Sequence, residues 1–431
     1  MTKNEKGNLG EDFVNQLAYK SFLQYWCYPS PIDEHGDKKE IADLLILFKD
    51  VCLIISVKFY DFKGNYERYF RKTLEKATKQ IYGAERKLFY SEQDVFIKHP
   101  QRKLEKFEPN NFTQIHRIVV NLGDDVQFYS PSSTTQKEKY IHVFDKKAFK
   151  QIVNELDTIP DLISYLRNRE DLLCNKNVII LPDKEEDYKV EIEKQLLNHI
   201  QPFNLEEKKQ IIISGTEFDL LATYLENNRQ FISELNTNEF EGINFLIDNA
   251  WNKYLEKKQV QAKKREDRYA YFIDDFVLTE VLRVQNEYTV DAAKEFMSFN
   301  RFERRFIAKL FFDFITVYNN SPNDCIAKRY VKVRDTTICF LFHSTNFNSQ
   351  QVGFFMKLAM ESYCIFDKYQ TKKLLQIVSS TNGSGLRLGY MPDIQPFDKE
   401  YEENTISLQK ECNWFEDIKI GNHREKEYPD S

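Results

Sequence analysis

Residues 39–60 read KEIADLLILFKDVCLIISVKFY, and this stretch decides the fold of the N-terminal part of the chain. Two apolar runs, residues 42–48 and 51–59, flank the polar pair Lys49 and Asp50. Short runs rich in Val, Ile, Leu and Phe on either side of two polar residues are typical of a buried β-hairpin. The stretch therefore predicts two antiparallel strands joined by a two-residue loop.

Three polar side chains lie at the open end of this apolar hairpin. If Phe48 pairs with Val51, Asp43 lies opposite Ser56, and directly opposed residues share a face of the sheet. Lys58 joins them because every second residue of a strand points the same way. A carboxylate and an ammonium are costly to bury unless they pair or bind a ligand. The hairpin thus predicts either a functional site or a plain Asp43–Lys58 ion pair.

The hairpin resembles the skeleton of the PD-(D/E)XK nuclease superfamily, in which an Asp and a β-turn precede an x-x-Lys on the returning strand. The resemblance implies that Asp43 holds a divalent metal, that the main-chain carbonyl of Val57 gives a further oxygen ligand, and that Lys58 positions the attacking water. Ser56 stands where the family has its second acid. One carboxylate fewer predicts weak metal binding, which the phosphate oxygens of bound nucleic acid would strengthen.

Two glutamates near the hairpin could contribute a further carboxylate. The spacing of apolar residues in 8–22 predicts an amphipathic helix, and Asn8 followed by Glu11 is a capping-box pattern. The superfamily has an acid on this helix, so Glu11 either binds the metal through water or caps the helix. Glu40 precedes Asp43 by three residues, and strand alternation predicts that it faces away from Asp43.

A basic helix is predicted directly after Lys58. Residues 61–88 contain eight Lys and Arg against four acids. Apolar residues recur there at helical spacings: Phe70, Leu74, Ala77, Ile81, Ala84 and Leu88. The resemblance implies that Lys76 and Gln80 point to the cleavage site. The predicted phosphate contacts are Arg71, Lys72, Lys76, Lys79 and Arg86. The alternative is a solvated helix face, which is what most charge runs are.

The remaining N-terminal elements complete a mixed α/β pattern. Residues 115–122, 140–144 and 177–181 predict strands, and Thr158, Pro160 and Asp161 mark the start of a helix. The order of helices and strands predicts a restriction-endonuclease-like α/β sandwich with helices on both faces of a central sheet. We expect this nuclease-like domain to span residues 1–185, with a boundary in PDKEED (182–187).

Residues 186–431 predict an accessory domain that is mainly helical to about residue 320 and then α/β. The late elements are a hairpin around Arg334 and Asp335, a helix in GFFMKLAMESY, a strand in KLLQIV and a loop in STNGSGLRLGY. Two basic runs, WNKYLEKKQVQAKKREDRY and FNRFERRFIAK, could extend a nucleic-acid track. More often such runs are exposed helix faces or partner surfaces.

The composition limits the class of protein. Hydrophobic residues make up 42% and charged residues 30% of the chain, as in globular proteins. The seven cysteines are scattered singly, which suggests neither a zinc site nor a disulfide framework and fits reduced thiols in the cytoplasm. No apolar run of signal-peptide or membrane-spanning length is present. A net charge of −6 confines any nucleic-acid surface to a local patch.

The resemblance implies a metal-dependent endonuclease that uses Mg²⁺ or Mn²⁺ and acts on DNA. Family resemblance places such enzymes in prokaryotic restriction or anti-phage defence. One alternative is a nuclease-fold protein that binds nucleic acid or a partner protein without cutting. Another is an interaction or sensor protein whose chemistry belongs to a partner. The C-terminal region would serve targeting, activation, or assembly with a partner protein or a second copy.

Overall fold

The computed structural model describes residues 3–20, 22–123, 139–174, 177–181, 210–232, 242–319, 325–381, 385–416 and 418–430. The chain is mixed α/β and divides into two compact units, Met1–Lys257 and Lys258–Ser431. The predicted boundary at residues 185 and 186 falls in 182–209, outside the described residues. Among the described helices, none is long and apolar enough to cross a membrane.

The first unit contains ten described strands and seven described helices. The strands are β1 (Cys27–Pro29), β2 (Leu44–Phe48), β3 (Val51–Lys58), β4 (Phe96–Lys98), β5 (Leu104–Lys106), β6 (Gln114–Asn121), β7 (His142–Asp145), β8 (Asn177–Leu181), β9 (Gln210–Ser214) and β10 (Gly242–Leu246). The helices are α1 (Lys3–Lys20), α2 (Tyr66–Phe70), α3 (Lys76–Phe89), α4 (Lys146–Glu155), α5 (Ile159–Leu173), α6 (Glu217–Glu226) and α7 (Ala250–Glu256). Its main sheet has the strand order β1-β2-β3-β6-β7.

The predicted hairpin and its register are confirmed. Strands β2 and β3 are antiparallel, with partners running from Phe48 and Val51 to Leu44 and Ile55. Lys49 occupies the first loop position with φ of 50°, a left-handed conformation that Gly or Asn adopts more readily. The position of the two-residue loop therefore sets the register, even though the backbone conformation of Lys49 is unfavourable.

The chain crosses from β3 to β6 through α2, a π-helical turn (Arg71–Glu75) and α3. Strand β3 pairs in parallel with β6, and β6 in parallel with β7. The predicted apolar stripe is confirmed, since all six of its residues lie in one buried cluster that packs on this face of the sheet. The crossover places the polar side of α3 beside the end of β3 that carries Ser56 and Lys58.

The opposite face of the sheet carries α1, α4 and α5. Phe149 of α4 packs against both Phe13 of α1 and Phe144 of β7, and Arg169 of α5 lies over the Phe144 ring. Because α1 begins at Lys3, Asn8 lies inside the helix and not at its N-terminus. The capping-box interpretation of Asn8 and Glu11 is therefore wrong.

The first unit has a second sheet, whose strand β8 was predicted and whose strands β9 and β10 lie where the sequence analysis expected mainly helices. Strands β8, β9 and β10 form a parallel sheet in the order β10-β9-β8, and α6 connects β9 to β10. Ile211, Ile212 and Ile213 are β-branched residues followed by Ser214 and Gly215, which favours a short buried strand over a helix. The prediction of mainly helical structure is therefore wrong for residues 210–214 and 242–246, whereas residues 217–226 form the helix α6.

The second unit begins with four helices and ends on a four-stranded sheet. The helices are α8 (Lys258–Glu266), α9 (Tyr271–Phe276), α10 (Glu287–Met297) and α11 (Arg301–Tyr318). Then come β11 (Ile326–Val333), β12 (Thr336–His343), α12 (Ser349–Phe366), β13 (Lys373–Ser380), β14 (Arg387–Met391) and α13 (Lys399–Glu411). The hairpin around Arg334 and Asp335 is confirmed, with Val333 opposite Thr336. The predicted loop is partly wrong, because β14 occupies its second half while residues 382–384 lie outside the described residues.

The basic run at the start of α11 is neither an exposed face nor a nucleic-acid track. Arg304 is 1% exposed and Arg305 is fully buried. Arg304 bonds to Asp274, and Arg305 lies 2.9 Å from Asp267. These guanidinium groups are ion-paired inside the unit and hold α11 against the segments before it. The expectation of a free basic surface in FNRFERRFIAK is therefore wrong.

Candidate functional site

The end of the β2–β3 hairpin brings Asp43 into contact with β3. Asp43 precedes the first residue of β2, and its carbonyl accepts a hydrogen bond of 3.0 Å from the Ser30 amide. Its Oδ2 accepts hydrogen bonds of 2.6 Å from the Val57 amide and 3.0 Å from the Ser56 hydroxyl. The carboxylate is thus held across the hairpin by both main-chain and side-chain donors.

Lys58 closes the same cluster. Its Nζ lies 2.7 Å from Ser56 Oγ, 2.9 Å from the Val57 carbonyl oxygen and 3.4 Å from Asp43 Oδ2. The side chains of Lys58 and Asp43 are 16% and 29% exposed, so the pair is only partly shielded from water. Asp43, Ser56 and Lys58 lie together as predicted. The ion pair of the plain interpretation is present in the same geometry, and the ammonium engages the Val57 carbonyl that was predicted to bind metal.

Gln80 reaches the cluster from α3. Its Oε1 lies 3.3 Å from Ser56 Oγ, so the single hydroxyl proton of Ser56 has two acceptors, Gln80 and Asp43. Lys76, one turn earlier on α3, is exposed. Of the two α3 residues that were predicted to face the site, the described hydrogen bonds therefore join only Gln80 to it.

A cleft of about 220 Å³ opens beside these residues. Asp43, Ser56 and Gln80 line it, together with Glu40. Partial burial and the charge of Asp43 raise the pKa of Glu40. The expectation that Glu40 faces away from Asp43 is wrong, because Glu40 forms only an isolated bridge with Ile32 and the next residues are not in a regular strand. Strand alternation does not apply to this segment.

Glu11 is an exposed residue of α1. Its charge also contributes to the raised pKa of Glu40, although less than burial and Asp43 do. A charge acts in this way only over short distances, since salt screens exposed charges beyond about 10 Å. Asp43 and Glu11 therefore both lie within electrostatic range of Glu40.

Lys87 lines the other side of the cleft, one turn beyond Gly83 on α3. Its Nζ lies 3.5 Å from Asp33 Oδ2 and also bonds to Asp37. The hydrogen bond from Lys87 is the main reason that the pKa of Asp37 is lowered to about 2. The loop between β1 and β2 is thereby fixed to α3, and the cleft has a defined edge.

The cations that were predicted to contact phosphate lie on the solvent side of the crossover helices. Arg71, Lys76, Lys79 and Arg86 are exposed and Lys72 is half-buried. In the part of the chain that the structure describes, no ion pair joins any of these five to a carboxylate. By contrast, the carboxylate of Glu85, on the buried side, forms ion pairs of 2.7 Å with both Arg117 and Lys139. The exposed cations remain available for an external anion.

The sequence analysis missed a second cluster of titratable side chains. His116 of β6, His142 of β7 and Glu170 of α5 place their ligand atoms within 4.8 Å of one another. The available signal was a histidine inside each of two predicted buried strands, IHRIVVNL and YIHVF. Strand periodicity gives no information about which helix residue covers them, so Glu170 could not be paired with them.

Comparisons with known proteins add no family. No family model matches the chain, and no curated protein matches it. One solved structure, that of SSO0001, aligns with 13% identity over 37% of this chain and 94% of the other, with a TM-score of 0.14. A TM-score this low carries no argument about fold or function.

Proposed function

We propose that the first unit is a metal-dependent nuclease of the PD-(D/E)XK type that hydrolyses phosphodiester bonds, with DNA as its substrate. The observation that carries the proposal is the convergence of Lys58, Ser56 and the Val57 amide on one carboxylate, Asp43, beside an open cleft with a second carboxylate. Nucleases of this type use an Asp at the end of one strand and a Lys on the adjacent strand, two positions beyond the residue that lies opposite the Asp. The strand order β1-β2-β3-β6-β7 with a crossover helix is compatible with the proposal.

The donor set suits a hard divalent cation. Burial and then the charge of Asp43 raise the pKa of Glu40, and a cation between the two like charges relieves their repulsion. Carboxylate oxygens are the ligands that Mg²⁺ and Mn²⁺ prefer. Asp43 and Glu40 would bind the ion directly and Glu11 through water, so Glu40 takes the part of the acid that Ser56 replaces.

The residues of the chain have separable roles in this proposal. A bound divalent ion supplies charge neutralisation and acidifies a water molecule. Without a bound cation, Lys58 neutralises the charge of Asp43. Once a cation neutralises Asp43, the Lys58 ammonium is available to hold the attacking water and the scissile phosphate. Gln80 and Ser56 orient these groups by hydrogen bonding. Lys76, Lys79 and Arg86 neutralise the phosphates that flank the site.

A second candidate function is binding of nucleic acid without cleavage. The observation that favours it is the closed set of contacts around Asp43, in which Lys58 and Ser56 satisfy the carboxylate without a metal ion. Because Lys58 and Ser56 already satisfy the Asp43 carboxylate, binding a cation there releases less free energy. The exposed cations of α3 would serve this function equally well.

Cleavage of supercoiled plasmid and single-stranded DNA in Mg²⁺ or Mn²⁺ tests the proposal. We compare the wild type with Lys58→Ala and with Lys63→Ala, an exposed lysine five residues later. Loss of a general acid–base or positioning group costs about 10²–10⁴-fold in rate, so only Lys58→Ala should lose cleavage. Equal cleavage by all three proteins would assign the activity to a contaminant. Binding without cleavage at any metal concentration would select the second function.

A further inference from the structure

The cluster of His116, His142 and Glu170 lies on the face of the main sheet away from the Asp43 cleft. Ser56 pairs with Val119 of β6, and Ile118 pairs with His142 of β7. Paired residues share a face and neighbours along a strand alternate, so His116 and His142 project to the face that Ser56 does not. The two groups of polar residues are therefore separated by the sheet itself.

One carboxylate oxygen of Glu170 faces both imidazoles. Glu170 Oε2 lies 3.6 Å from His116 Nδ1 and 3.8 Å from His142 Nε2. Both separations exceed a normal hydrogen bond. Ligands of a tetrahedral zinc ion with bonds of about 2.0–2.1 Å are roughly 3.4 Å apart. The three ligand atoms lie within 4.8 Å of one another, so they would have to move closer together to coordinate an ion.

Three of the four imidazole nitrogens lack a hydrogen-bond partner within the described residues. His116 is 4% exposed and His142 is fully buried. In the part of the chain that the structure describes, neither ring nitrogen of His116 nor Nε2 of His142 has a hydrogen bond. Buried polar atoms are almost always satisfied, because an unsatisfied one costs about 1–3 kcal/mol. The Glu170 side chain is 31% exposed, so the space between the three groups is accessible from the α5 side.

We propose that His116, His142 and Glu170 bind a transition-metal dication of the zinc class. Two imidazoles and one carboxylate form a ligand set that Zn²⁺ favours, whereas Mg²⁺ favours oxygen ligands alone. Three protein ligands leave a fourth position, which lies toward solvent beside Glu170 and takes water or an external ligand. The site joins β6, β7 and α5, so the ion would fix α5 to the sheet.

Arg169 is the neighbour that opposes binding. Its Nη1 lies 3.3 Å from His142 Nδ1, and a guanidinium only donates, so the proton of the metal-free imidazole is on Nε2. A metal ion at Nε2 moves that proton to Nδ1, and Arg169 must then release the ring. Arg169 retains its bonds to Glu217 at 2.8 Å and Tyr140 at 2.9 Å. The site should therefore bind more weakly than one whose histidines have acceptors behind them.

Equilibrium dialysis against Zn²⁺, with metal analysis of the full chain, tests the proposal. Glu170→Gln keeps the shape of the side chain and removes the ligand charge, and Asp171→Asn makes the same change of charge at the next, exposed residue of α5. We expect one Zn²⁺ per wild-type chain, unchanged affinity in Asp171→Asn, and at least about tenfold weaker binding in Glu170→Gln. Equal binding by all three proteins, or none by the wild type, would overturn the site.

Two further measurements keep the result decisive. Asp43→Asn should bind Zn²⁺ as the wild type does, because the sheet separates the two sites, so failure of the nuclease proposal leaves this one standing. If Glu170→Gln does not fold, zinc-edge X-ray absorption of the wild type decides. Scattering from two imidazoles is the expected result, and a coordination sphere with no imidazole, as at adventitious surface carboxylates, would overturn the proposal.

Discussion

Ser56 Oγ lies 3.0 Å from Asp43 Oδ2, at the position that the proposed nuclease function assigns to a second acid. A carboxylate at this position would face Asp43 directly in a site that is 3% exposed at Ser56. Like charges at such a distance repel strongly unless a cation lies between them. The hydroxyl therefore allows the site to be stable without metal, and it should lower the affinity for metal.

Replacing Ser56 with Asp tests whether the Ser56 hydroxyl favours stability without metal over affinity for metal. We expect Ser56→Asp to be less stable than the wild type in EDTA and to regain stability in millimolar Mg²⁺, because the added charge needs a cation. Thermal unfolding with and without Mg²⁺ measures the difference. Ser56→Asn is the matched control, because Asn has the shape of Asp without its charge. A Mg²⁺ response that is the same in both variants would refute the metal site.

Glu40 should contribute to metal binding. We expect Glu40→Gln to raise the Mg²⁺ concentration needed for half-maximal cleavage by about 10- to 100-fold, the range found when groups around a metal are changed. Titration of cleavage with Mg²⁺ provides the measurement. Glu75→Gln, at an exposed position of the crossover, is the control. If Glu40→Gln behaves like this control, Asp43 binds the ion without Glu40.

The exposed cations of α3 should bind phosphate irrespective of base sequence. We expect the triple variant Lys76→Ala, Lys79→Ala and Arg86→Ala to bind all DNA sequences more weakly. The slope of log affinity against log salt should fall by about 0.9 for each phosphate that the variant no longer neutralises. Fluorescence anisotropy at several salt concentrations measures it.

The matched control for this prediction lies on the opposite face of the sheet. Lys146, Lys147 and Lys150 are exposed residues in the first turns of α4. Their replacement by Ala removes the same number of charges from the same unit. An equal loss of affinity in both triple variants would show that net charge, and not the α3 surface, governs binding.

Glu85 should make folding pH-dependent. Burial raises its pKa, but hydrogen bonds from Arg117 and Lys139 outweigh burial, and the net shift is downward from 4.5. The stabilisation is therefore complete above pH 4.5 and is lost as pH falls through the folded-state pKa. Near neutral pH, Glu85→Gln should cost about 3–5 kcal/mol of unfolding free energy, because it leaves Arg117 buried without its charged partner.

Urea unfolding across pH measures this contribution. The difference between the wild type and Glu85→Gln should shrink as the pH falls through the lowered folded-state pKa of Glu85, because the wild-type carboxyl becomes protonated there. The exposed Glu92→Gln should differ little from the wild type at any pH. A difference that is constant with pH would mean that packing, and not charge, is what Glu85 contributes.

Local patterns predicted the part of the candidate site that short-range geometry controls. The hairpin register, and with it the meeting of Asp43, Ser56 and Lys58, follows from the position of the two-residue loop between the apolar runs. The apolar stripe of α3 likewise follows from helical period. Glu40 was misplaced because its segment leaves the regular strand, where alternation no longer holds.

Other features depend on which distant elements pack together. The buried ion pairs of Arg304 and Arg305 need Asp274 and Asp267, which lie 30 and 38 residues earlier, and charge runs do not reveal such partners. The meeting of His116 and His142 with Glu170 needs the position of α5 on the sheet. Neither set of contacts produces a periodic pattern in the sequence.

The parallel pairing of β3 with β6 has a kinetic consequence. The hairpin joins neighbours such as Phe48 and Val51, whereas the next pairing joins Val51 to Gln114. Closing the longer loop costs more chain entropy and is slower. During synthesis the hairpin can form early, but the strand that supports β3 arrives only when Asn121 has left the ribosome. A nascent chain would thus carry every residue that lines the cleft before β6 is there to support β3.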